Sequence, residues 1–176
     1  MAYKNTTIYF MSGTGNSYRV STWLGEIATK KGSQLKVVSV KNNEATKKIK
    51  NGKNNLLGIV FPAHGFTMPW HILKFVCRLP RGKSSHAFCV ATRGSLKFGK
   101  VFIPGMSGSG TFIIALLLFL KGYNVHGVMS VNMPSNWFHC TLSSVKKVTR
   151  QLLPGPNETL QALLKGFFLS VTCGSL

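Results

Sequence analysis

The chain has 176 residues, 44% of them hydrophobic, and a formal net charge of +19 that comes from 22 Lys and Arg against three Glu and no Asp. This length and composition predict one globular domain over residues 1–176. The shortage of carboxylates argues against a Ser–His–acid triad and against catalysis by a carboxylate-bound metal. The four cysteines are far apart and lack the C-x-x-C spacing of zinc and iron–sulfur sites.

The first half of the chain alternates strand and helix patterns. An apolar run predicts a first strand over residues 6–11, and apolar positions at helical spacing predict a helix over 17–31. A second strand follows at 35–40, and the Lys- and Asn-rich stretch 41–55 has room for one short helix. The continuous apolar run at 56–61 is typical of a central strand that is covered on both faces.

The second half continues the alternation. It predicts helices at 70–79 and 111–121, strands at 86–91 and 125–131, a long loop over 92–110, and helical segments at 142–153 and 157–169. Strands that alternate with helices predict a parallel sheet with helices on both faces. Five such strands with a Gly-rich turn after the first suit the order 2-1-3-4-5. In this order, a ligand crevice opens at the carboxyl ends of strands one and three.

The turn after the first strand is the most informative segment. It reads Ser12-Gly13-Thr14-Gly15-Asn16-Ser17 and leads directly into the first helix. A phosphate bound there would meet hydroxyl groups and backbone N–H groups, which the glycines make accessible. It would also face the positive end of the helix dipole. A Walker loop is excluded because the turn lacks the Lys. A dinucleotide fingerprint is excluded because the turn lacks the third Gly, and because the chain has no Asp to serve as the acidic residue expected about 20 positions further on.

This turn closely resembles the FMN-phosphate loop of flavodoxins, whose signature is Ser/Thr-x-Thr-Gly-Asn-Ser/Thr. The resemblance implies a flavodoxin-like three-layer α/β/α sandwich that binds FMN. Two later segments, Phe61–Trp70 and Met133–Trp137, look more like the flavodoxin-like half of bacterial flavodoxin–ferredoxin fusion proteins. The ferredoxin half, with its closely spaced cysteines, is missing from this sequence.

The same resemblance implies two further flavin-binding segments. The loop Pro62-Ala63-His64-Gly65-Phe66 follows the third strand, where many flavodoxins have a stacking Trp, and Thr92-Arg93-Gly94-Ser95 follows the fourth. His64 either contacts the flavin or is a loop histidine bonded to the backbone; Phe66 or Trp70 could supply stacking instead. Arg93 either lies near the flavin edge that becomes negative on reduction or is a surface charge.

The positive charge bears on the partners of the protein. A field of this sign attracts nucleic acid, anionic lipid and acidic proteins. However, the basic residues are spread along the chain without a nucleic-acid-binding motif, which favours a solvated basic surface and no specific nucleic-acid partner.

The longest apolar run, 112–120, is shorter than the about 20 residues of a membrane span, and we expect it to form a helix buried in the domain. The N-terminus lacks a signal-peptide core, so a cytoplasmic protein without a transmembrane segment is predicted.

The resemblance implies an FMN-dependent electron-transfer protein. The positive charge makes an acidic redox protein, either ferredoxin-like or a reductase, its expected partner. One alternative is an NAD(P)H-dependent flavin or quinone reductase on the same fold. A second alternative is a basic, flavin-free module that binds nucleic acid or a membrane surface.

Overall fold

A computed structural model describes residues 3–41, 52–65, 67–98, 101–103, 108–134 and 158–173. Its strands are β1 (Asn5–Phe10), β2 (Gln34–Ser39), β3 (Asn55–Pro62), β4 (His86–Phe98), β5 (Val101–Ile103) and β6 (Asn124–Pro134). Its helices are α1 (Asn16–Lys30), α2 (Trp70–Arg78), α3 (Gly110–Leu120) and α4 (Glu158–Cys173). The described part of the chain contains no helix that is both long enough and apolar enough to cross a membrane.

The predicted sheet is confirmed. Five parallel strands lie in the order β2-β1-β3-β4-β6, so that β6 is the fifth strand of the predicted 2-1-3-4-5 arrangement. The short strand β5, which the sequence did not predict, pairs antiparallel with the last three residues of β4. The ligand crevice expected for this order would open at the carboxyl ends of β1 and β3.

Alternating side chains of the central strands build two cores, one on each face of the sheet. Ile8 contributes to the core beneath α1 and α4, whereas the next residue, Tyr9, contributes to the core beneath α2 and α3. Every residue of β3 between Leu56 and Phe61 is buried, as expected for a strand covered on both faces. The molecule therefore has three layers, and both cores hold the ends of β1 and β3 in fixed positions.

The prediction that residues 92–95 form a loop is wrong. Strand β4 continues through them, and its pairing with β6 runs from Thr92 opposite Val131 to Ser95 opposite Pro134. The polar sequence suggests a loop, but the neighbouring strand supplies backbone partners, and these outweigh the weak strand propensity of Gly and Ser. The predicted end of the fifth strand at residue 131 is wrong for the same reason, since β6 extends to Pro134.

Helix α3 was expected to be buried, but only one side of it is. Ile114 and Leu118 are fully buried against the sheet, whereas Phe112 and Phe119 are about two-thirds exposed, at 67% and 66%. The apolar run is therefore a surface helix of the α2–α3 layer.

Several predicted features lie outside the described residues. They are residues 42–51 of the stretch predicted to hold a short helix, the helix at 142–153, the flavin-binding candidate Phe66, and the loop segments 104–107 and 135–137.

Candidate functional site

The turn between β1 and α1 forms an open cradle. Gly15 caps the helix with φ 91°, a left-handed conformation that favours glycine, and no side chain caps α1 at this position. A Cβ atom built on Gly13 or Gly15 would meet nothing within 4 Å, so the space beside both glycines is open. The Ser12 hydroxyl accepts a hydrogen bond from the Gly15 N–H at 2.9 Å, which fixes the shape of the turn and engages one of its amides.

Ser17 connects this cradle to strand β4. Its side chain is buried, and its hydroxyl lies 2.9 Å from the hydroxyl of Thr92 on β4. Thr92 also accepts a hydrogen bond through its carbonyl from the Ala63 N–H, at 2.8 Å. Thr92 therefore joins the first predicted segment, 12–17, to the second, 62–65, and both lie at one edge of the sheet, as the sequence predicted.

The second segment is a tight turn. His64 and Thr67 exchange two backbone hydrogen bonds of 2.9 Å, and Gly65 between them has φ 52°. The His64 side chain is exposed. Pro62 belongs to β3 and pairs with Thr92, so the turn projects from the carboxyl end of the sheet.

Gly110 supports this turn from the α3 side, a role that the sequence did not reveal. A Cβ atom on Gly110 would lie 2.7 Å from the Met68 backbone nitrogen and 2.8 Å from the Thr67 carbonyl carbon. Only glycine permits this close approach of the helix to the loop. The sequence could not reveal this role, because a long-range backbone contact has no local signal.

The third predicted segment is part of a strand. Arg93 is half-buried, and its Nε donates a hydrogen bond of 2.6 Å to the Oδ1 of Asn132, its partner on β6. The bond engages one of five guanidinium donors and joins β4 to β6 near the end of the ladder that they share. Gly94 pairs with Met133 in the same ladder, and Ser95 is the next residue. The sequence did not reveal that Asn132 positions Arg93, because only the pairing of β4 with β6 brings the two residues together.

The geometry suits a phosphorylated ligand. Backbone amides at the first turn of a helix, hydroxyl groups and an unfilled glycine turn recognise a phosphate without a metal ion. The cradle has this donor set, since its turn is open at both glycines and its helix lacks a side-chain cap.

Comparisons with known proteins bear on the fold. No protein-family model matches the sequence, and no curated protein matches it. Solved structures do match. A flavodoxin from the domain Archaea aligns with 97% of this chain and 98% of its own, with a TM-score of 0.60 and 15% identity. Flavodoxin 2 from Bacillus cereus aligns with 97% of this chain and 99% of its own, with a TM-score of 0.63 and 10% identity. The fold is flavodoxin-like.

The same fold also matches part of a larger protein. Rubredoxin oxygen:oxidoreductase from Desulfovibrio gigas aligns with 98% of this chain, with a TM-score of 0.62 and 14% identity. The chain spans only 36% of the length of that protein. The flavodoxin-like fold therefore occurs among these structures both by itself and within a longer chain.

Proposed function

We propose that the protein binds FMN through the 12–17 cradle and acts as an electron-transfer protein. The observation that carries this proposal is the open turn at Gly13 and Gly15, which has the form of an anion site and lies at the carboxyl end of β1. Flavodoxins among the similar structures support a flavin as the ligand. The flavin would supply the redox chemistry when bound, and the protein would supply binding and orientation.

The residues of the three segments have distinct parts in this proposal. Within the cradle, Thr14, Asn16 and the amides around them would hold the phosphate, while Ser12 and Ser17 fix the shape of the turn through the bonds described above. The 62–65 turn would border one side of the flavin ring. The guanidinium of Arg93 would lie near the ring edge that gains negative charge on reduction.

The partner that we propose is an acidic redox protein. A chain with a net charge of +19 is attracted by an acidic surface, and this attraction weakens as salt screens it. The likeness of the sequence to flavodoxin–ferredoxin fusion proteins makes a ferredoxin-like partner the first to try, with a reductase as the other candidate.

The decisive experiment titrates the purified, flavin-free protein with FMN and with riboflavin, followed by flavin fluorescence. Riboflavin lacks the phosphate, and charge-assisted hydrogen bonds contribute about 1.5–3 kcal/mol each, so FMN should bind more tightly by well over about tenfold. Inorganic phosphate should compete with FMN. Equal affinity for the two flavins would show that the cradle is not a phosphate site, and binding of neither would defeat the proposal.

The same preparation separates the alternatives. Steady oxidation of NAD(P)H by the isolated flavoprotein would favour a reductase. A protein that stays free of flavin and binds nucleic acid with a steep salt dependence would favour the basic binding module.

A further inference from the structure

One face of α3 is both apolar and exposed. It consists of Phe112, Ile113, Leu116, Phe119 and Leu120, which we call the outer face of α3. The opposite side of the helix, with Ile114 and Leu118, is fully buried against the sheet. The five residues recur at the three- and four-residue spacing of one helix side, so they form a continuous strip along the whole helix.

Such a strip calls for a partner. A helix that is apolar all round is normally covered on every side, and a contiguous exposed apolar patch marks an interaction site. In α3 the largest exposures belong to Leu120 at 71% and Phe112 at 67%. Single exposed apolar residues need no explanation, but five on one helix face do.

The charge beside this strip is entirely positive. Helix α2 packs in the same layer as α3, and its exposed side carries Lys74 and Arg78. Arg81 and Lys83 are exposed just beyond its end. The sequence from residue 45 to residue 157, which includes both helices, contains no Asp or Glu. The whole α2–α3 layer therefore combines an apolar strip with basic side chains and no acidic ones.

Trp70 adds an interfacial side chain at one end of the layer. It is exposed, and the Nζ of Lys74 lies 5.4 Å from the centre of its ring. Gly110 contacts the backbone of Thr67 and Met68, so the start of α3 lies close to the start of α2. Trp70 and Phe112 thus belong to the same end of the layer, and Trp is typical of the membrane–water interface.

We propose that the α2–α3 layer docks on an anionic lipid membrane. The outer face of α3 would enter the boundary between headgroups and acyl chains, and the basic side chains of α2 would contact the anionic headgroups. A second copy of the chain fits less well, because it would bring two molecules of charge +19 together without any acidic group in the layer. An anionic membrane offers an apolar interior to the outer face of α3 and negative headgroups to the basic side chains.

The test is co-sedimentation of the full chain with lipid vesicles. Vesicles of phosphatidylcholine with about 30% phosphatidylglycerol provide the anionic surface, and pure phosphatidylcholine provides the neutral one. We expect binding to the anionic vesicles that weakens with added salt, and much weaker binding to the neutral ones. The readout requires no flavin, so the result is independent of the proposed redox function.

Two double variants locate the docking face. Leu116→Ser with Phe119→Ser changes the outer face of α3, and Leu163→Ser with Leu169→Ser changes two exposed leucines of α4 in the opposite layer. The first should lower affinity for anionic vesicles by more than about tenfold because two inserted side chains are lost, and the second should leave it unchanged. Far-UV circular dichroism checks that both variants fold. Lys74→Gln with Arg78→Gln should reduce the preference for anionic over neutral vesicles.

Three results would overturn the proposal. Absence of binding to anionic vesicles at low salt would remove the membrane as the partner. Equal binding by the α3 and α4 double variants would show that net charge alone attracts lipid. A wild-type dimer in analytical ultracentrifugation that the α3 variant converts to monomer would assign the face to a second copy.

Discussion

The hydroxyl groups of Ser17 and Thr92 lie 2.9 Å apart at a buried point where α1 meets β4. Ser17 is the last residue of the candidate phosphate cradle, and Thr92 is the first residue of the segment whose structure the sequence misjudged. This hydrogen bond therefore joins the two parts of the site that come from β1 and β4, and it is a natural target for a stability test.

Replacing Thr92 with Val should destabilise the fold. Valine keeps the shape of the side chain but removes the partner of the buried Ser17 hydroxyl, and an unsatisfied buried hydroxyl costs about 1–3 kcal/mol. Removing both hydroxyls, with Ser17→Ala and Thr92→Val together, should cost less than the sum of the single changes. Urea unfolding measures the free energies.

Thr29→Val, at an exposed position of α1, is the control and should stay within about 0.5 kcal/mol of wild type. Strictly additive single changes would mean that the two hydroxyls are not coupled.

The two glycines of the cradle should respond differently to alanine. Gly15 has φ 91°, so Gly15→Ala should cost about 1 kcal/mol or more in backbone strain. The structure gives Gly13 no left-handed φ and no atom within 4 Å of an added Cβ, so Gly13→Ala should leave the free energy of unfolding nearly unchanged. Urea unfolding of the two variants side by side provides the comparison. If they are equally unstable, the turn does not have the conformation described.

Alanine substitutions at Gly110 and Gly166 should change the free energy of unfolding in opposite directions. Gly110→Ala should destabilise the protein by about 1–3 kcal/mol, because its Cβ would lie 2.7 Å from a backbone atom of the 64–68 segment. If FMN binds as proposed, its affinity should fall as well. Gly166 lies inside α4 with open space around it, so Gly166→Ala should stabilise by about 0.5–1 kcal/mol. Thermal and urea unfolding check both signs. A Gly110→Ala variant as stable as wild type would refute the close approach.

His86 should make stability depend on pH. Burial, followed by the nearby charge of His126, lowers the pKa of His86 from its ordinary value of 6.5. The hydroxyl of Tyr3 lies 2.6 Å from His86 Nδ1 and 3.2 Å from the Val171 carbonyl, so it connects the His86 ring to α4. The folded state binds fewer protons than the unfolded state just below pH 6.5, and stability must fall there as pH is lowered.

The measurement is the urea midpoint as a function of pH between neutral and mildly acidic conditions. The variant His86→Gln should lose the part of the slope that begins near pH 6.5. The same substitution at the exposed His71 of α2 is the control for replacing a histidine with glutamine. A His86→Gln profile that parallels wild type throughout would contradict the assignment.

The net charge should also affect the potential of a bound flavin. If FMN binds as proposed, the positive field should favour the negatively charged, fully reduced flavin, so the second one-electron reduction should occur at a less negative potential than in acidic flavodoxins. Arg93→Gln should shift this potential downward, and Arg93→Lys should shift it less. Potentiometric titration measures both. A potential as low as that of the acidic proteins would contradict the expectation.

The sequence alone determined the order of strands and the position of the cradle. Periodic apolar runs separated by glycine are local signals, and they located β1, β3 and α1 to within a residue or so of their observed bounds. The turn at 12–17 was identifiable for the same reason, since its glycines, its hydroxyls and the helix that follows are adjacent in the chain.

Only the tertiary structure decided what depends on distant partners. Residues 92–95 form a strand because β6 pairs with them, and Gly110 is required because the backbone of Thr67 and Met68 lies against it. Likewise, the apolar run of α3 indicates a helix but not which side of it is covered. Pairing and packing bring together residues far apart in the chain, so no local pattern contains them.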